Sequence, residues 1–150
     1  MDPLDDVDWH LLELLQEDGR LSFTELGRRV SLSGSAVTER VRRLEERGVI
    51  TGYAATVDTT KLGLPIEALV RARVRSLDTP RFRTTVLLLP QVIAADHVTG
   101  EECWVLRVLC RGTAELEGVL ETVQRYGETS TSLVLSSPLR RRALGRPGMD

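Results

Sequence analysis

The sequence predicts an α+β protein, a helix-turn-helix followed by a ferredoxin-like βαββαβ domain. Three observations carry this. Three short helical stripes, each punctuated by a capping residue, fill residues 1–50. From residue 66 the pattern changes to strand–helix units. The composition, 150 residues with 41% hydrophobic and 28% charged, suits one soluble domain or two very small ones. A net charge of −2 excludes a basic nucleic-acid coat and an acidic disordered tail. Aromatics are only 4%, so the cores must be built from Leu, Val, Ile and Ala. Two cysteines without disulfide-like spacing, and an acidic N-terminus, argue against a secreted scaffold. The longest apolar runs, residues 86–89 and 92–95, are too short to span a bilayer. The expectation is a cytoplasmic chain with no membrane partner.

In residues 1–50, Asp5 is placed to cap a first helix carrying Val7, Leu11, Leu14 and Leu15 at helical spacing. Ser22 with Glu25 reads as a capping box, and Phe23, Leu26 and Val30 form the second stripe. Residues 31–34 are a short turn, and Ser33 caps a third helix with the stripe Val37, Val41 and Leu44. Gly48 is placed to end it as a left-handed cap.

Charge sharpens the picture. Residues 1–19 carry seven acids and no base, whereas residues 28–47 carry six Arg against three Glu. A domain of little net charge can still present one basic face. If Val37, Val41 and Leu44 face the core, Ser35, Thr38, Glu39, Arg42 and Glu46 point away, with Arg40, Arg43 and Arg47 on one flank. The leading end of that face is small, so the helix can enter a major groove about 12 Å wide. Arg42 and Arg43 would meet phosphates or guanines, and Arg28 and Arg29 the backbone. The candidate DNA-binding set is Arg28, Arg29, Ser33, Ser35, Thr38, Glu39, Arg40, Arg42 and Arg43. The competing reading is a plain three-helix bundle with a solvated charged face.

Residues 51–65 read as a linker containing one short strand, from the alternation of Tyr53, Ala55 and Val57. Residues 66–137 form the second domain. Ile66, Ala68, Val70, Ala72 and Val74 mark a half-buried strand. Thr79-Pro80 opens a helix with Phe82, Val86 and Leu89 inward. Residues 92–99 and 103–111 are strands joined by the Gly100-Glu101-Glu102 turn. Thr113 caps a helix with Leu116, Val119, Leu120 and Val123, Gly127 ends it, and residues 129–137 are the last strand. Both helices cover one sheet face. The other carries Leu69, Val105 and Leu109 among arginines, and a second copy of the chain is the simplest cover for it. Residues 138–150, with Arg140-Arg141-Arg142, read as a frayed, solvated basic tail.

Cys103 and Cys110 fall on opposite faces of one strand and cannot pair. His10 and His97 lie far apart in sequence, so no metal set is evident. No nucleophile elbow, phosphate loop, dinucleotide fingerprint or C-x-x-C is present, so neither catalytic residues nor a cofactor are expected.

Taken together, the residues resemble the Lrp/AsnC (feast-or-famine) family of transcription regulators. Leu4-Asp5, Asp8, Leu11-Leu12 and Asp18-Gly19-Arg20 are similar to the family's opening helix, and residues 25–33 to its second helix and turn. Val37, the run from Glu39 through Glu45, and Gly48-Val49-Ile50 resemble its recognition helix and exit. Val98-Thr99-Gly100-Glu101 and Thr129-Ser130-Thr131-Ser132 resemble two markers of its ligand domain. The resemblance implies a winged-type helix-turn-helix that binds double-stranded DNA. It also implies a ferredoxin-like domain that binds a small-molecule effector, commonly an amino acid, and assembly as homodimers or octamers. Carried over by position, the effector-binding set is Thr99, Gly100, Glu101, Cys103, Thr129 and Thr131. Two positions depart from the family pattern: Gly34 stands where a Pro is usual after the turn Ser, and Cys103 where an acid is frequent. Glu102, a substitute acid, is expected to point to the face opposite Cys103. Siroheme decarboxylases are similar in architecture and define an enzymatic alternative, for which His97 and Tyr126 are the equipment here. A metabolite-binding module that does not touch DNA is the third reading.

Overall fold

The computed structural model describes residues 3–147. They form two units, one holding the N-terminal helices up to Thr56 together with the tail from Leu139, the other spanning Val57–Pro138.

The first unit contains α1 (Asp6–Glu17), α2 (Phe23–Val30) and α3 (Gly34–Glu46). Its core is Leu11, Leu14, Leu26, Val37 and Val41, the inward stripes predicted from spacing. Asp5 caps α1 by accepting from the Asp8 N–H at 2.8 Å, and the Asp8 carboxylate accepts in return from the Asp5 N–H at 3.4 Å. Ser22 caps α2 by accepting from the Glu25 N–H at 3.1 Å. The Glu25 carboxylate does not complete that capping box. It sits 2.9 Å from Arg28 and 3.2 Å from Arg29, because two cations one turn on outcompete a neutral N–H. Ser31 then takes the left-handed conformation (φ 56°) and the chain folds tightly onto α2. At Gly27 a Cβ would stand 2.5 Å from the Leu32 carbonyl, so only glycine permits this turn. Ser33 caps α3 by accepting from the Ala36 N–H at 3.2 Å, and Gly48 (φ 69°) ends it.

One ion cluster fixes α3 against α1. The Arg40 guanidinium lies 2.7 Å from a carboxylate oxygen of Asp5 and 2.7 Å from one of Asp8, and Asp8 is buried. A buried carboxylate is tolerable only when paired and hydrogen-bonded, so Arg40 is part of the scaffold.

The strand expected around Tyr53, Ala55 and Val57 does not form. Among the described residues no strand lies between α3 and Ile66. Tyr53 and Val57 are exposed, and a lone alternating segment within one chain has no neighbour to complete its ladder. Tyr53 instead donates its hydroxyl to Glu45 at 3.0 Å, and partial burial with that carboxylate pushes the phenol up to about 12. The tail is not frayed either. Gln16 donates to the Leu144 carbonyl (3.1 Å) and accepts from the Leu144 N–H (3.0 Å), and Arg146 pairs with Asp6. The acid-rich first helix draws the basic tail back onto itself. Residues 148–150 of the predicted tail lie outside the described residues.

The second unit contains β1 (Ile66–Val74), α4 (Thr79–Thr85), β2 (Val92–His97), β3 (Trp104–Cys110), α5 (Thr113–Gln124) and β4 (Gly127–Leu133). The strand order is β2-β3-β1-β4, all pairs antiparallel, which is the ferredoxin-like arrangement. Ala68 faces Val108, Val70 faces Leu106 and Ala72 faces Trp104. These six pack with Phe82, Val86, Leu116, Val119 and Val123 into the core under the helices.

Several boundaries differ from the sequence reading. Gly112, not Thr113, is the N-cap of α5, and no side chain bonds there. Glu115 in the first turn reaches back beyond the cap, and its carboxylate accepts from the Arg111 N–H at 2.7 Å and the Gln91 side-chain amide at 2.8 Å. Those two bonds hold its pKa below the ordinary glutamate range. Gly127 opens β4 instead of ending α5, and β4 stops at Leu133. On the helix-free face, Leu109 and Glu67 are buried, and Glu67 is ion-paired with Arg107. Leu69 and Val105 are half-buried, so the bare apolar area there is smaller than the alternation suggests.

A Cβ at Gly127 would stand 1.9 Å from the Arg73 carbonyl, so Gly127→Ala must separate β4 from β1. It should cost about 1–3 kcal/mol, read as a lower urea midpoint. Arg40→Met leaves the buried Asp8 carboxylate without its cation and should cost about 1–3 kcal/mol by the same measurement. The Asp8 N–H, and then Arg40, hold the Asp5 carboxyl below the ordinary aspartate range. A folded value below the unfolded one stabilises the fold above the ordinary range, and that contribution fades as pH falls through the lowered value. Acid titrations of stability should therefore show this loss in the parent and a flatter acid limb in Asp5→Asn, which keeps the cap without the charge.

Candidate nucleic-acid interface and effector site

With Val37, Val41 and Leu44 committed to the interior, α3 turns Ser35, Thr38, Glu39, Arg42 and Glu46 to solvent. Its leading end is small. The Ser33 and Ser35 hydroxyls lie 3.1 Å apart, and Thr38 donates its hydroxyl to the Gly34 carbonyl at 2.8 Å. Arg42 is held between two carboxylates, by two bonds to Glu39 (2.7 and 3.2 Å) and one to Glu46 (2.5 Å). Arg42 lowers the pKa of Glu39, and Glu39 raises that of Arg42. Arg43 is exposed and makes no side-chain hydrogen bond or ion pair among the described residues. Arg28 and Arg29 project from α2 and share Glu25.

Eight of the nine residues in the predicted DNA-binding set thus lie exposed on α2, α3 and the turn between them. The ninth, Arg40, turns towards α1 and its two aspartates, and bonding holds it there. Glu25 and Glu46, the counter-ions, were absent from the set. Their signal was the spacing of three and four residues from Arg28, Arg29 and Arg42.

In the second unit a shallow depression of about 180 Å³ is lined by Arg73, Glu101, Glu102, Glu128 and Thr129. Antiparallel pairing sets Arg73 opposite Glu128, and the turn after β2 brings Glu101 to 3.5 Å from the Arg73 guanidinium. Glu102 accepts from the Ser130 hydroxyl at 2.8 Å, and Thr129 lies 3.4 Å from the Gln124 amide. Of the predicted effector set, the structure brings Glu101 and Thr129 together. Thr99 and Gly100 (φ 108°) form the turn leading in, and Thr131 is exposed two residues further along β4. Cys103 precedes β3 and turns away. It packs against the core and points its thiol at the Val74 carbonyl, 3.7 Å distant. Glu102 takes the place on the depression, on the side opposite Cys103. Arg73 and Glu128 lie outside the predicted set, because their proximity depends on β4 lying beside β1. One guanidinium among three carboxylates suits a zwitterion, whose carboxylate and ammonium can each find an opposite charge.

The remaining polar rings lie elsewhere. His97 stacks on Trp104 (4.7 Å between centroids), and Tyr126 meets the edge of Phe82 (5.9 Å). Neither lines the depression. Burial, with the charge of Glu115, pushes the Cys110 thiol up, as suits a core residue. Among the described residues no group of three His, Cys, Asp or Glu is placed to hold a metal, and no helix is long and apolar enough to cross a membrane.

Both units have counterparts among known proteins. Residues 4–45 match the AsnC-type helix-turn-helix domain, and residues 67–144 match the Lrp/AsnC ligand binding domain. The chain is 37% identical over 133 residues to the transcriptional regulator LrpC of Bacillus subtilis, covering 89% of this chain and 92% of that one. It is 39% identical over 142 residues to the regulator Rv2324 of Mycobacterium tuberculosis, covering 93% and 96%. The solved structure of Bacillus subtilis LrpC superposes with a TM-score of 0.87 at 35% identity, covering 93% of this chain and all of the other (100%). The Neisseria meningitidis regulator NMB0573, solved as a complex with L-Met, gives 0.87 at 30% identity over 95% of this chain and 96% of that one. With both domains matched in order and relatives aligned over most of their length, the chain belongs to the Lrp/AsnC family of helix-turn-helix transcriptional regulators.

Proposed function

We propose that this regulator binds its operator sequence-specifically by laying α3 in the major groove of double-stranded DNA, and that an amino acid or a derivative controls it. One observation carries the reading. The interior of the first unit uses up Val37, Val41 and Leu44, which leaves α3 with an exposed outer stripe that is small at its leading end and flanked by Arg28, Arg29 and Arg43. Helix geometry then puts Ser35, Thr38, Glu39 and Arg42 nearest the bases and the three flanking arginines nearest the phosphates. Arg40 serves the fold. The effector occupies the depression of Arg73, Glu101 and Thr129, and the methionine bound by the Neisseria meningitidis relative supports an amino acid. The half-buried Leu69 and Val105 and the unpaired segment around Tyr53 support a homodimer, extended to an octamer as the family resemblance implies. A dimer reads two half-sites about one helical turn, or a multiple, apart. We place the protein in the cytoplasm with its DNA.

The test is DNA binding by the purified full-length protein. Its own upstream region is compared with a scrambled duplex at two salt concentrations, with and without a pool of amino acids. The reading expects preference for the upstream region, steep salt dependence, and a shift of affinity or stoichiometry with the pool. Arg43→Ala should weaken binding to every duplex and reduce the salt slope by about one. No binding at low salt would overturn it.

A further inference from the structure

The stripe that α3 turns outward is not basic at its centre. Glu39, Arg42 and Glu46 lie there together, and three N–H groups of Arg42 are spent on the two carboxylates. An arginine so engaged is a weaker phosphate anchor, since only two of its five N–H groups remain free and two carboxylates compensate its charge. The same bonds change what Glu39 can do. A bare carboxylate beside DNA is repelled by the phosphates. One whose charge is compensated and whose two oxygens are both held by a guanidinium can approach a base edge in a fixed orientation. Each oxygen keeps a second lone pair.

The other leading side chains are already engaged: Thr38 donates its hydroxyl to the Gly34 carbonyl, and the Ser33 and Ser35 hydroxyls share one bond. Glu39 is the strongest acceptor at this end of the helix. In the major groove only cytosine N4 and adenine N6 offer donors. Adenine sets its N7 acceptor beside that donor, where a carboxylate is repelled. Guanine and thymine present acceptors alone.

We infer that Glu39 is a specificity-determining residue that accepts from the N4 amino group of a cytosine in each half-site, and that Arg42 is a positioning residue holding the Glu39 carboxylate. This rests on the proposed placement of α3 in the groove.

The experiment selects sites from a random duplex library with the full-length protein. It then titrates the four bases at the affected position by competition. The parent should prefer cytosine there about tenfold. Glu39→Ala should flatten that one position and keep the rest of the motif. Glu39→Gln should move the preference to adenine, whose N6 and N7 a glutamine amide matches. Arg42→Ala should reduce the cytosine preference while changing the salt slope by well under one, an outcome that a phosphate-anchoring role would not give. Retention of the whole parent motif by Glu39→Ala, or loss of about one unit of slope in Arg42→Ala with the motif intact, would overturn the inference. A parent that enriches no motif would overturn the underlying reading instead.

Discussion

The Arg40 cluster is the interaction on which the first unit's use as a DNA reader depends. A recognition helix must be held at a fixed angle, and apolar packing alone leaves helices of 12 and 13 residues some freedom to roll. Arg40 removes that freedom by joining the middle of α3 to the capped end of α1. The clamp is directional because Asp5 and Asp8 are already oriented by their own capping bonds. Its cation is withdrawn from the outer surface, so the arginine-rich stretch offers DNA fewer charges than its composition suggests. The charge split along the sequence has a structural cause: acids of α1 neutralise one arginine of α3 and, through Asp6, one of the tail.

In the second unit the organising constraint is the sheet order. Placing β4 beside β1 sets Glu128 against Arg73, and the turn between β2 and β3 returns to that same end. Residues from three separate stretches then meet at one depression. The charge there suits the proposed zwitterion: the one guanidinium has a carboxylate partner at 3.5 Å, and such an exposed pair is weak. Cys103 is excluded by its register at the start of β3, where it packs inward.

Local patterns were legible wherever a period or a cap fixed them. The inward stripes, the caps at Asp5 and Ser33, the left-handed Gly48 and the alternation of β1 all follow from spacing that leaves one physical solution. Contacts between elements were not. Nothing near Arg40 in sequence says that its partners lie 32 and 35 residues earlier. Nor does anything near Arg73 reveal Glu128. Sequence alone reads Gly127 as a helix stop because glycine often ends helices, yet its role here is close approach to the Arg73 carbonyl. The linker strand failed because alternation reports a preference for pairing, and pairing needs a neighbour. For the candidate site, the sequence indicates the helix and the turn whose side chains the structure exposes, but not the ion pairs that decide which of them are available.

If the outer stripe of α3, held by Arg40, is the surface that meets DNA, backbone amide perturbation of the full-length protein, titrated by NMR with a specific duplex, will show it. The largest changes should run from Ser33 to Arg43 and include Arg28 and Arg29, with the interior of α1 nearly unmoved. Perturbation centred on α1 or on the sheet, with α3 unchanged, would contradict it.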